Sequence, residues 1–94
     1  LKSSEEYTHV YHLFVIRSSK RDDLEKYLNN CGIGTMKHYP IPIHLQECYK
    51  DLDILKGELP IAEEISQTVL SIPMYYGMDD ELIQYVIDKI NEFC

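Results

Sequence analysis

The chain has 94 residues, 45% of them apolar and 27% charged, with a formal net charge of −7. That length suits one domain with a modest core, and the composition is that of a globular chain rather than a disordered one. The acidic balance excludes the clustered Lys and Arg needed to bind nucleic-acid phosphates or anionic membrane surfaces, and no apolar run reaches membrane-spanning length.

The first residues, Leu1-Lys2-Ser3-Ser4-Glu5-Glu6, lack both a signal-peptide pattern and a start methionine. The chain is therefore expected to begin inside a longer protein or to follow processing. His9 to Arg17 is almost continuously apolar and rich in Val, Ile, Phe and Tyr, which predicts a strand buried on both faces. Ser18-Ser19 ends it, and Ser19 with Asp22 three positions on predicts a capped helix start. Leu24, Tyr27, Leu28 and Cys31 recur at helical spacing, so a helix is expected over 20–31. Gly32 and Gly34 stop it.

Thr35 to Tyr39 reads as a short strand. Pro40 and Pro42 lack ladder donors and hold their predecessors extended, so Tyr39-Pro40-Ile41-Pro42 is a stiff, non-helical segment. His44 to Tyr49 predicts a short helix and Lys50 to Glu58 a polar loop. Pro60 opens a helix with Ile61, Ala62, Ile65 and Val69 on one face. Val69 to Ile72 is a strand stopped by Pro73. Asp79 caps a last helix whose apolar stripe is Leu82, Ile83, Val86, Ile87, Ile90 and Phe93. The order implies an α+β fold, a small, mostly antiparallel sheet with helices packed on one face, in a single domain over 1–94.

Few residues invite chemistry. His9 and His12, three apart on a strand, point to opposite faces and do not share a metal. Cys31, Cys48 and Cys94 match neither a zinc nor a redox spacing and read as free thiols, small buried or terminal residues of a reducing cytoplasm. The carboxylates Asp22, Asp23, Glu25, Glu63, Glu64, Asp79, Asp80 and Glu81 lie near helix starts, where they complement the dipole. Ser66 and Ser71 have no evident base partner. Tyr7, Tyr11, Tyr75 and Tyr76 read as packing residues, since no basic residues interleave with them. His38 and Tyr39 differ: they precede a rigid Pro-x-Pro, which can present polar side chains to a ligand at little ordering cost. An imidazole and an amphipathic phenol suit sugar and nucleotide recognition, with His44 and Gln46 as weaker candidates just downstream.

Four ordered stretches carry a resemblance: His9 to Ile16, Arg21 to Leu28, Gly32 to Gln46 (Gly-Ile-Gly-Thr-Met-Lys-His-Tyr-Pro-Ile-Pro-Ile-His-Leu-Gln), and Leu59 to Ser66 running into Val69 to Met74. Together they resemble the C-terminal region of the DegT/DnrJ-type nucleotide-sugar aminotransferases, a branch of the aspartate-aminotransferase fold. The resemblance implies transfer of an amino group, usually from glutamate, to a keto-sugar on a nucleoside diphosphate, with pyridoxal phosphate as electron sink. It implies a cytoplasmic, homodimeric parent enzyme, of the kind serving cell-surface polysaccharide biosynthesis. The cofactor lysine of that family lies in the large domain, and none of Lys2, Lys20, Lys26, Lys37, Lys50, Lys56 or Lys89 sits in its context. The chain alone is thus expected to hold no cofactor or metal, to contribute no catalytic residue and to be inactive. His38 and Tyr39 resemble the family's His-Tyr pair that helps seat the sugar nucleotide; His44 and Gln46 match the same pattern. The His-Tyr-Pro-Ile-Pro form looks most like enzymes acting on 3-keto-6-deoxy sugars. The competing reading is a free-standing, ferredoxin-like module that binds a small ligand or a protein. If the chain is a severed domain, the apolar first strand also predicts weak self-association.

Overall fold

A computed structural model describes residues 6–94. Its elements run β1 (Phe14–Arg17), α1 (Arg21–Asn30), two 3-10 turns (Ile43–Leu45 and Glu47–Leu52), α2 (Pro60–Thr68), β2 (Val69–Ile72) and α3 (Asp80–Phe93). The fold is α+β, as expected. β1 and β2 pair antiparallel with Phe14 opposite Ile72 and Arg17 opposite Val69. Met36 adds a single antiparallel bridge to Ser71 on the other edge of β2, which is all that forms of the expected strand over 35–39. Two strands do not make a ferredoxin-like sheet.

α1 packs against β2 and α3. Their shared core is Leu24, Leu28, Ile33, Leu70 and Val86, with Ile16, Tyr27, Ile72, Ile90 and Phe93 partly buried around it. α1 ends in a left-handed turn. Gly32 has φ 77°, its N–H donates to the Asn29 carbonyl at 3.0 Å, and the Ile33 N–H donates to Leu28 at 2.9 Å. These bonds satisfy helix-end carbonyls and turn Ile33 back into the core.

Several expectations fail. β1 starts at Phe14, not His9, because Tyr11 takes a left-handed φ of 47° and donates its N–H to His9 Nδ1 at 2.8 Å. β1 is not buried on both faces: Phe14 and Val15 are exposed, whereas Val69, Leu70 and Ser71 of β2 are all buried. The central strand is β2, since it alone has neighbours on both edges. Ser19 does not cap α1; the cap position is Lys20, without a side-chain bond, and the Lys20 N–H instead donates to Ser18 Oγ at 3.1 Å. Asp22 turns aside to Arg21 and Lys37. Asp79 holds the cap position of α3 but makes no capping bond. The helix expected over 44–49 is two 3-10 turns separated by the extended backbone of Gln46.

The apolar face of α2 points outward: Ile61, Ala62 and Ile65 are exposed, and the buried side chains are Glu63 and Ser66. Leu82, Ile83 and Ile87 of α3 are exposed too, as are Tyr7, Tyr11, Tyr75 and Tyr76, so those tyrosines are not internal packing. The thiols are free; Cys31 is partly buried, Cys48 and Cys94 are exposed. No described helix is long and apolar enough to cross a membrane.

Candidate functional site

β2 organises the surroundings of His38. The Met36 bridge brings the chain alongside β2, and Lys37 is held from the α1 side by Glu25 at 2.6 Å and Asp22 at 3.0 Å. Those contacts keep the Lys37 ammonium above its ordinary range, Glu25 contributing most and Asp22 next. They also pull Asp22 below the usual carboxylate range, Lys37 first and then Arg21. His38 Nδ1 lies 2.8 Å from Ser71 Oγ. Tyr39 follows with its ring edge-on to the imidazole, centroids 5.4 Å apart, and is 70% exposed. The peptide bond joining the pair is cis.

Beyond Tyr39, the Pro-x-Pro segment separates two hollows. One, of about 510 Å3, is lined by Tyr39, Pro40, Ile41, Leu45, Gln46 and Glu47. The other, of about 230 Å3, lies against α2, with Lys56, Glu63, Ser66 and Gln67 facing the two prolines and Leu45. The first combines an exposed phenol, apolar walls and a polar rim, the mixture that suits a sugar ring.

Tyr39 thus lines the first hollow together with Gln46, and His38 lies next to it, edge-on to the Tyr39 ring. The Gln46 amide donates to the Ile41 carbonyl at 3.3 Å, bracing the segment. His44, grouped with them in the sequence, is buried instead. Its Nε2 lies 3.1 Å from Glu63 Oε1, and the same oxygen accepts the Gly57 N–H at 2.7 Å. His44 therefore anchors the Pro-x-Pro segment to α2 rather than facing the hollow.

Sequence reasoning passed over three residues. Glu63 reads as a dipole partner at a helix start, yet it turns inward. Ser71 is the one polar residue of an otherwise apolar strand, a signal that was legible. Arg21 opens α1 as an ordinary charge, yet it is buried, and Nη1 reaches the Ser66 carbonyl at 3.2 Å and the Val69 carbonyl at 3.3 Å. There it satisfies carbonyls where α2 ends and β2 begins. Among the described residues no group of three His, Cys, Asp or Glu assembles a metal site.

This fold is shared with aminotransferases. Residues 1–91 match the DegT/DnrJ/EryC1/StrS aminotransferase family, and the chain belongs to it. It is 45% identical over 85 residues to a pleiotropic regulatory protein of Geobacillus stearothermophilus, covering 90% of this chain and 23% of that protein. It is 38% identical over 85 residues to the dTDP-3-amino-3,4,6-trideoxy-alpha-D-glucose transaminase of Streptomyces venezuelae, covering 90% of this chain and 22% of that one. The crystal structure of S. venezuelae DesV in complex with a ketimine intermediate superposes with a TM-score of 0.91 at 35% identity, over 98% of this chain and 25% of that one. The chain thus spans about a quarter of the length of the relatives it matches, in their C-terminal part.

The family depends on pyridoxal phosphate in general. That cofactor needs an amine for its aldehyde and donors for its phosphate in one cavity. Here Lys37, Lys50 and Lys89 are engaged by carboxylates, and Lys56 borders a hollow shared with the Glu63 carboxylate.

Proposed function

We propose that these 94 residues are the substrate-contacting C-terminal portion of a pyridoxal-phosphate-dependent aminotransferase that moves an amino group from glutamate to a nucleotide-linked keto-sugar. The observation that carries this reading is the superposition of nearly the whole chain on S. venezuelae DesV, beside its 38% identity to a dTDP-amino-sugar transaminase. The parent enzyme is a cytoplasmic homodimer serving cell-surface polysaccharide synthesis, and its cofactor lysine lies outside this chain. Bound pyridoxal phosphate supplies the electron sink; the residues described here seat the substrate. His38 and Tyr39 contact the sugar nucleotide, with Pro40, Ile41 and Leu45 as the apolar flank. Gln46 stiffens the rim, and His44 holds the segment from beneath. On its own the chain does not transaminate.

In the full-length enzyme, His38→Ala and Tyr39→Phe are expected to slow the half-reaction with the sugar nucleotide more than the half-reaction with glutamate, because glutamate needs no contact to the nucleotide. Losing a hydrogen bond at a desolvated site costs about 1–3 kcal/mol, roughly 5- to 150-fold in the affected step. Single-turnover kinetics of each half-reaction makes the comparison. Equal losses in both would overturn the assignment.

A further inference from the structure

Ser71 alternates with the core residues Leu70 and Ile72 along β2, so its hydroxyl projects from the opposite face of the strand, and the residue is nonetheless buried. A buried hydroxyl is costly unless it is hydrogen-bonded. Among the described residues its side-chain partner is His38 Nδ1, 2.8 Å away. The Ser71 backbone is committed to the same segment: its N–H donates to the Met36 carbonyl at 2.8 Å, and its carbonyl accepts the Met36 N–H at 3.1 Å. One residue therefore sets both the path of the chain just before His38 and the direction of the His38 ring.

The hydroxyl hydrogen also decides the tautomer. If Nδ1 carried the proton of a neutral imidazole, it would donate to Oγ, and the buried Ser71 O–H would be left without its acceptor. The satisfied arrangement has Ser71 donating to an unprotonated Nδ1, which places the ring hydrogen on Nε2.

We propose that Ser71 is a positioning residue for substrate binding: it pins His38 in one orientation and one tautomer, so that Nε2–H is presented as a donor to an oxygen of the nucleotide sugar. The inference rests on the reading of His38 as a substrate contact. A ring pinned at one nitrogen arrives preorganised, whereas an unpinned ring offers a donor or an acceptor and loses that freedom on binding. Ser71 itself lies behind the imidazole and acts only through it.

Two measurements on the full-length enzyme test this. Nitrogen NMR with labelled histidine is expected to show His38 with Nδ1 unprotonated and Nε2 bonded to hydrogen, a preference lost in Ser71→Ala and kept in Ser71→Thr. A wild-type His38 with the proton on Nδ1, or with averaged tautomers, would overturn the proposal. The kinetic probe is dTDP-3-amino-3,4,6-trideoxy-α-D-glucose, run as amino donor. Ser71→Ala is expected to raise its KM roughly 2- to 12-fold, the worth of one ordinary hydrogen bond, and to leave the glutamate half-reaction unchanged. Added to His38→Ala, the same change is expected to cost nothing more. Additive losses, or a silent Ser71→Ala where His38→Ala is damaging, would overturn the positioning role alone. If the wild type does not turn over the probe, or His38→Ala is silent, the functional reading is the one that fails, and the nitrogen spectrum still decides the tautomer. Should Ser71→Ala unfold, Ser71→Cys, with its weak thiol donor, serves the same comparison.

Discussion

At Glu63 a single carboxylate oxygen receives both the Gly57 N–H and the His44 imidazole. The Gly57 amide does most to hold this carboxyl below the ordinary glutamate range, and His44 adds to it against the opposing effect of burial. A depressed acid stabilises the fold while it is ionised. That stabilisation is complete above the unfolded-state value, about 4.3 for glutamate, and is lost as pH falls through the lower folded-state value. Wild type is therefore expected to melt above Glu63→Gln at neutral pH, and the gap is expected to close below about pH 4. Calorimetric melting temperatures of the two proteins across that range check the point. A gap that persists unchanged into acid would show that the ionised carboxylate is not what joins α2 to the segment carrying His44.

Helices α1 and α2 have apolar stripes of similar regularity but opposite fates. α1 turns Leu24 and Leu28 into the core, and Leu28 is fully buried. α2 turns Glu63 and Ser66 inward and leaves Ile61 in solvent. Truncating Leu28 to Ala removes packed methyl groups and is expected to cost about 2–5 kcal/mol. Ile61→Ser in the 94-residue chain is expected to change stability by no more than about 0.5 kcal/mol, the usual scale for a surface substitution. Urea unfolding of both variants gives the comparison. A large loss at Ile61 would mean that the α2 face is covered within this chain.

The radius of gyration is 16.0 Å, where a compact domain of this length has about 12 Å. Among the described residues only six apolar side chains are buried, and of these Leu24, Leu28 and Leu70 are fully so. Phe14, Ile72, Pro73, Met74, Met78, Ile83 and Ile87 line an open apolar hollow of about 320 Å3 between the sheet and α3. Val10, Ile43, Leu55 and Ile61 are exposed besides, and large contiguous apolar patches are uncommon on soluble monomers. The 94-residue chain is therefore expected to self-associate weakly, the net charge of −7 opposing random aggregation more than a specific contact. Sedimentation velocity over a concentration series is the measurement. A monomer at every concentration would remove the argument that these faces need a partner.

The three helices and the strand Val69–Ile72 were legible before the structure. Helical spacing of Leu24 and Leu28, Gly32 as a stop, Pro60 as a first helical residue and Pro73 after a short strand are local signals, because backbone sterics and hydrogen-bond donors act over a few residues. The stiff segment carrying His38 and Tyr39 was legible for the same reason. Burial was not, because it depends on what packs against a face rather than on the pattern of the face. His9 to Arg17 has the composition of a central strand, yet β2 takes that place by pairing on both edges. Ile61 and Ile65 form an apolar stripe that this chain does not cover. Nor could spacing separate His38 from His44. One is held beside Tyr39 by Ser71, 33 positions away, and the other is drawn inside by Glu63, 19 positions away. Long-range hydrogen bonds of this kind exist only once the chain has folded, and they decide which histidine is buried against α2 and which is held against β2.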